Sequence, residues 1–195
     1  MTLGTRDLIL DAAADILRQR GVVHATTKEI AKAAGFSEAA LYKHFSDKEE
    51  LILNVLQSRM PSPAAGMPTP GAATVEENLC DIARGALSFY QGSLPLLGGL
   101  LAHPERMAAH RDSMRRHAGG PGRAIAAIAA YLRAEQELDR VAADADVDTA
   151  AALLDGACFH QAFLRYYEGG PEADPVPEDL ARRLVGGVLR GLSGK

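Results

Sequence analysis

Residues 26–50 read TTKEIAKAAGFSEAALYKHFSDKEE, and this stretch decides the fold. Thr26 and Glu29 form a T-x-x-E capping box, in which each side chain accepts from the other's otherwise unpaired backbone N–H, so a helix opens here. Gly35 stands where that helix must stop and reverse, a place for a residue that tolerates left-handed φ. Ser37 can cap a second helix running to Phe45, and Ser46 with Glu49 repeats the capping box for a third. Ile30, Ala31, Ala34, Phe36 and Leu41 supply the apolar contacts that hold two short helices at the steep angle of a helix-turn-helix. A second helix of this size fits the major groove of duplex DNA.

The remaining polar residues suit that task. On the helix 37–45, Leu41 and Phe45 are four apart and point inward. Glu38, Ala39 and Ala40 lie at its leading end, where a docked recognition helix meets base edges. Tyr42, Lys43 and His44 follow, with groups that reach phosphates. Thr27 and Lys28 open the preceding helix and Lys48 opens the next, and helix N-termini attract phosphate.

The chain here resembles a known family. SEAALYKHFSDKEEL, residues 37–51, is similar to the signature of the TetR/AcrR family of bacterial transcriptional regulators, and TTKEIAKAAGF, residues 26–36, resembles that family's first helix-turn-helix segment. The resemblance covers roughly residues 5–58; the remainder agrees only in length and helicity. It implies a three-helix DNA-binding head on a larger helical domain for ligand binding and dimerisation. It also implies phosphate contacts at Tyr42, His44 and Lys48, helix-2 contacts at Thr27 and Lys28, and base reading by Ser37, Glu38, Ala39 and Ala40. Many members carry glycine where this chain has Ala39.

Charge is distributed to match. The chain carries a formal −4, but residues 18–48 hold six Lys or Arg against three Asp or Glu, a local +3 that leaves −7 elsewhere. A basic surface on an acidic body gives a salt-sensitive phosphate footprint and discourages nonspecific coating. Asp7, Asp11 and Asp15 fall four apart on the first helix and read as a solvated face turned from DNA. No apolar run approaches the ~18–20 residues of a membrane span, and MTLGTRDLIL lacks the pattern of a secretory signal. Cys80 and Cys158 read as buried free thiols. Cytoplasm is the expected location.

Beyond the head, the sequence is punctuated helix. Leu8, Ile9, Ala12, Ala13, Ile16 and Leu17 make the apolar face of helix 1, ended by Gly21. PSPAAGMPTPGAAT, residues 61–74, holds four of the ten prolines and reads as an extended or mobile linker. Thr74 and Glu77 form another capping box. Later helices are expected near 94–102, 105–118, 122–140, 147–168 and 177–192. The expected division is a helix-turn-helix domain over 1–46, a connecting helix over 47–60, the linker over 61–74, and a helical ligand-binding and dimerisation domain over 75–195. The fold class is all-α.

Two features of the larger domain bear on partners. Leu180, Leu184, Val188 and Leu192 recur at four-residue steps, and Leu153, Leu154, Ala157, Cys158, Phe159, Ala162 and Phe163 make too broad an apolar band for one-sided packing. The family resemblance implies that these two helices of each subunit build a symmetric homodimer; intrachain core is the plainer alternative. Paired half-sites of a palindromic operator need two recognition helices about 34–36 Å apart. Tyr90, Leu97, Leu101, His103, Met107, Ile128, Phe159 and Phe163 are the residues expected to line a pocket for a small, partly hydrophobic effector. His110, His160 and Gln161 are further polar handles.

No metal site and no cofactor are expected. His103, His110 and His117 recur every seven residues, about 10.5 Å apart along a helix, too far for one ion. Asp144, Asp146 and Asp148 resemble the start of an EF-hand loop, but Thr149 replaces its glycine, so helix capping explains them better. No catalytic motif for an enzyme occurs. The expected function is sequence-specific binding of double-stranded DNA as a transcriptional repressor released by an effector. An architectural or cell-division DNA-binding factor, and a helical enzyme without a cofactor, are the alternatives.

Overall fold

The computed structural model describes residues 4–59, 64, 66–101, 104–116, 120–170, 173–174 and 176–192. Among them the chain is all-helical, in nine helices. A head comprises α1 (Thr5–His24), α2 (Thr27–Ala33), α3 (Glu38–Leu41) and α4 (Lys48–Arg59). A body comprises α5 (Val75–Leu101), α6 (Pro104–Arg116), α7 (Gly122–Glu137), α8 (Val147–Gly169) and α9 (Glu178–Leu192).

The head closes on its own apolar cluster. Ile9, Leu10 and Ala13 of α1, Ile30 and Ala31 of α2, Leu41 and Phe45 around α3, and Leu51 and Val55 of α4 are buried together. The inward face of α1 is rotated from the expected one: Leu10 and Ala14 are buried while Leu8 is exposed. The helix also continues through Gly21 to His24, because a single glycine costs a helix only ~1 kcal/mol relative to alanine. Thr26 and Glu29 make the expected capping box, and Gly35 takes φ +80° at the reversal.

The cap of α4 differs from the spacing argument. Because the helix begins at Lys48, Asp47 occupies the cap and accepts from Glu50 N–H at 2.7 Å. Glu50 reaches back to the Ser46 N–H and hydroxyl, at 2.6 and 2.7 Å. The acidic face of α1 is likewise more than solvated surface. Arg59, in the last turn of α4, pairs with Asp7 at 2.8 Å and Asp11 at 2.5 Å. Those bonds, with Asp11 the stronger influence, hold the guanidinium pKa above its ordinary value.

Of the expected linker over 61–74, residues 61–63 and 65 lie outside the described residues, and the part from Met67 onward is anchored to the body. Met67 packs against the body core, and the Gly71 N–H donates to Glu135 at 3.2 Å. Asn78 donates to the Ala72 carbonyl and to the Tyr131 hydroxyl, both at 2.9 Å, while Arg140 donates to the Ala73 carbonyl. Glu135, fully buried on α7, also faces Arg140 at 3.3 Å. Burial, reinforced by its bond to Glu135, pushes the Tyr131 hydroxyl up to about 12. These anchors fasten the backbone of residues 71–73 to α5 and α7.

Thr74 and Glu77 then cap α5 as expected. That helix runs unbroken to Leu101, merging the two helices expected on either side of residues 92–93. Pro95 lacks the N–H that would bond the Gln91 carbonyl, and Leu87 and Leu94, which precede it, are buried and hold that part of the helix against the body. The body core gathers Leu79, Ala83 and Leu87 of α5, Ile128 and Leu132 of α7, Leu154 and Cys158 of α8, and Val185 of α9. Asp146 caps α8 through the Thr149 N–H at 3.0 Å, so the aspartate cluster serves a helix start. Cys80 and Cys158 are free and buried. Among the described residues no helix is long and apolar enough to cross a membrane.

Candidate nucleic-acid interface

The α2–α3 unit is stabilised by tertiary contacts rather than by helix propensity. Four helical residues cannot persist alone in water. Burial of Leu41 and Phe45 supplies about 1.5–3 kcal/mol each, and the Ser37 cap, accepting from Ala40 N–H at 3.2 Å, about 1 kcal/mol more. The expected recognition helix over 37–45 is therefore shorter: regular α-helix ends at Leu41, and the chain tightens through Lys43 N–H to Ala40 O and His44 N–H to Leu41 O. Phe45 closes the turn beneath the Arg6 guanidinium, 5.3 Å from its ring.

Three of the expected DNA-contact residues meet directly. Thr27, at the first position of α2, donates from Oγ1 to Glu38 Oε1 at 2.5 Å and lies 3.3 Å from the Tyr42 hydroxyl. A hydroxyl has one proton to give. With that proton on Glu38, Tyr42 is the donor in its contact with Thr27. Glu38 and Tyr42, four apart, thus turn one side of α3 toward the start of α2.

The other expected residues surround this relay. Lys28, Ala39, Lys43 and His44 are exposed, Ala40 and Lys48 are partly buried, and Ser37 is occupied as a cap. Tyr42 keeps 47% of its surface exposed. Spacing on α3 alone could not disclose the Thr27–Glu38 bond, because it depends on the angle between two helices.

The body places the expected effector residues unevenly. Tyr90 and Phe159 meet edge to face, with centroids 5.4 Å apart, and Phe163 stacks on Tyr167 at 6.1 Å. Ile128 belongs to the body core. Leu97 and Met107 are partly buried, Leu101 is exposed at the end of α5, and His103 lies outside the described residues. Burial lowers the His110 pKa, and its Nδ1 is buried without a hydrogen-bond partner.

One functional candidate escaped the sequence reading. Asp155, 6% exposed on α8, accepts the Tyr90 hydroxyl at 2.8 and 3.0 Å through its two oxygens. Burial raises its pKa, against a smaller lowering by that hydrogen bond. Burial, with Asp155 nearby, also pushes the Cys158 thiol up to about 12. The signal was available: Asp155 falls in the buried row Ala151, Leu154, Cys158 and Ala162.

Comparison with known proteins follows the division between head and body. Residues 9–55 match the family of bacterial regulatory proteins described as the tetR family. The chain is 44% identical over 55 residues to the uncharacterized helix-turn-helix transcriptional regulator TtgW of Pseudomonas putida, covering 28% of this chain and 41% of that protein. It spans less than half the length of the curated relatives it first matches. At the level of fold, a TetR-family regulator of Mesorhizobium loti superposes with a TM-score of 0.65 at 21% identity, covering 96% of this chain and 94% of that one. The regulator FadR of Bacillus subtilis, solved in complex with stearoyl-CoA, gives a TM-score of 0.56 at 15% identity, covering 96% and 99%.

Proposed function

Because residues 9–55 match the tetR family of bacterial regulatory proteins, we propose that this protein is a sequence-specific DNA-binding transcriptional repressor. The observation that carries the reading is the packed α2–α3 unit, which leaves Glu38, Ala39, Tyr42, Lys43 and His44 exposed on one short helix and its following turn. Recognition is assigned to residues 1–46, with Ser37, Glu38, Ala39 and Ala40 toward bases. Lys28, Lys43, His44 and Lys48 are assigned toward the backbone, Thr27 and Tyr42 keep their hydroxyl protons in the network around Glu38, and α4 connects this head to residues 75–195.

A homodimer on a palindromic operator completes the proposal. Leu153, Phe159, Phe163 and Tyr167 leave an exposed apolar face on α8, which a second copy of α8 and α9 would cover. Exposed aromatic residues of this kind dominate protein interfaces. The effector is read as small and partly hydrophobic. The FadR neighbour, which holds stearoyl-CoA, supports that class, and Tyr90, Phe159 and Asp155 offer an aromatic and polar surface for it. A ligand that binds the DNA-incompetent arrangement more tightly, by about 1–3 kcal/mol, would release the operator.

The test is recovery of genomic fragments by the purified protein, followed by footprinting. A short palindromic footprint, lost on adding the effector, is the expected result. Binding that spreads along any duplex would overturn the repressor reading in favour of an architectural factor.

A further inference from the structure

We propose that Glu38 reads cytosine in the major groove and that Thr27 is the positioning residue that aims it. The inference rests on the DNA-binding reading above and deepens it by naming a base.

A carboxylate beside duplex DNA is repelled by the phosphates, so it contributes at a groove only where it meets donors. In the major groove the base-edge donors are cytosine N4 and adenine N6. Adenine N6 lies between two acceptors, its own N7 and the O4 of the paired thymine. Cytosine N4 has an acceptor on one side only, the guanine O6 of its pair, and carbon on the other. The negative oxygen of Glu38 therefore meets less repulsion at cytosine.

The geometry supports a fixed reader rather than a wandering charge. Glu38 is the first residue of α3 and is exposed. The 2.5 Å bond from Thr27 engages Oε1, a charge-assisted contact of the strong class. It pins the side chain across 11 residues of sequence and leaves Oε2 to accept from a base. Tyr42, donating to Thr27, orders the same relay from the far end of the helix.

Selection from randomised duplexes by the full chain, compared among wild type, E38A, E38Q, T27V and T27S, tests this. The wild type is expected to enrich a motif with an invariant cytosine in each half-site. Changing that cytosine to thymine should weaken wild-type binding about 5- to 150-fold. E38A should lose this discrimination, E38Q should shift it toward adenine, whose N6 and N7 suit an amide, T27V should reduce it, and T27S should restore it. Because the readout is a ratio of affinities for two duplexes, partial unfolding of a variant does not imitate the effect. If E38A enriches the same cytosine as wild type, the assignment to Glu38 is overturned; if T27V discriminates as wild type does, the positioning role is overturned. A wild-type pool that enriches no motif overturns the DNA-recognition reading itself.

Discussion

Arg59 Nε lies 2.5 Å from Asp11 Oδ1, tying the last turn of α4 to the middle of α1. With Asp7 at 2.8 Å, the guanidinium engages two carboxylates one helical turn apart. Because all three side chains are partly exposed to solvent, the net effect is modest, about 0.5–1 kcal/mol. R59M is expected to lower the melting temperature by about 2–4 °C for each kcal/mol lost. The difference from wild type should shrink as salt rises and screens the pair. Equal melting at low salt would show that the bridge contributes nothing.

Asp155 gives a pH dependence with a definite sign. Its folded-state pKa is raised above the ordinary 3.8, so between those two values the folded chain holds more protons than the unfolded one. Stability contributed by this group is highest in acid and falls as pH rises through the raised value. D155N removes that slope. Chemical denaturation at neutral pH and near pH 4 should show wild type gaining on the variant as the solution is acidified. A gap that does not change with pH would place the titration elsewhere.

Lys48 opens α4 and is assigned to a phosphate. K48A should weaken binding to cognate and random duplexes alike and reduce the slope of log affinity against log salt by about one. Loss confined to the cognate duplex would instead make it a base contact.

The exposed face of α8 predicts an oligomeric response. F163E puts a charge beside Tyr167, in the apolar patch. Loss of an aromatic anchor of about 2 kcal/mol corresponds to about 30-fold weaker association. Light scattering across a dilution series should show monomer at higher concentration than for wild type, with helicity retained. An unchanged mass profile would remove α8 from the interface.

The all-α architecture was legible wherever one residue type has one local use. Thr26 with Glu29, and Thr74 with Glu77, mark helix starts because a capping box closes within four residues, and Gly35 marks a reversal that needs positive φ. The start of α4 is legible only to within one residue, because Ser46 and Asp47 are both good caps and it is Asp47 that accepts from the Glu50 N–H. Polar residues on apolar faces carried a signal that went unread: Glu135 follows Ile128 by seven and Tyr131 by four, and it is the post to which the proline-rich segment is tied. Thr27 with Glu38, and Arg59 with Asp7, join different helices, and no periodicity within one helix contains such pairs.

The two hydrophobic clusters have no member in common among the described residues. A substitution in the body core therefore removes none of the side chains that fill the core of the head. A chimera that keeps α1–α4 over a foreign helical body has to rebuild the seam where α1 and α4 touch α5.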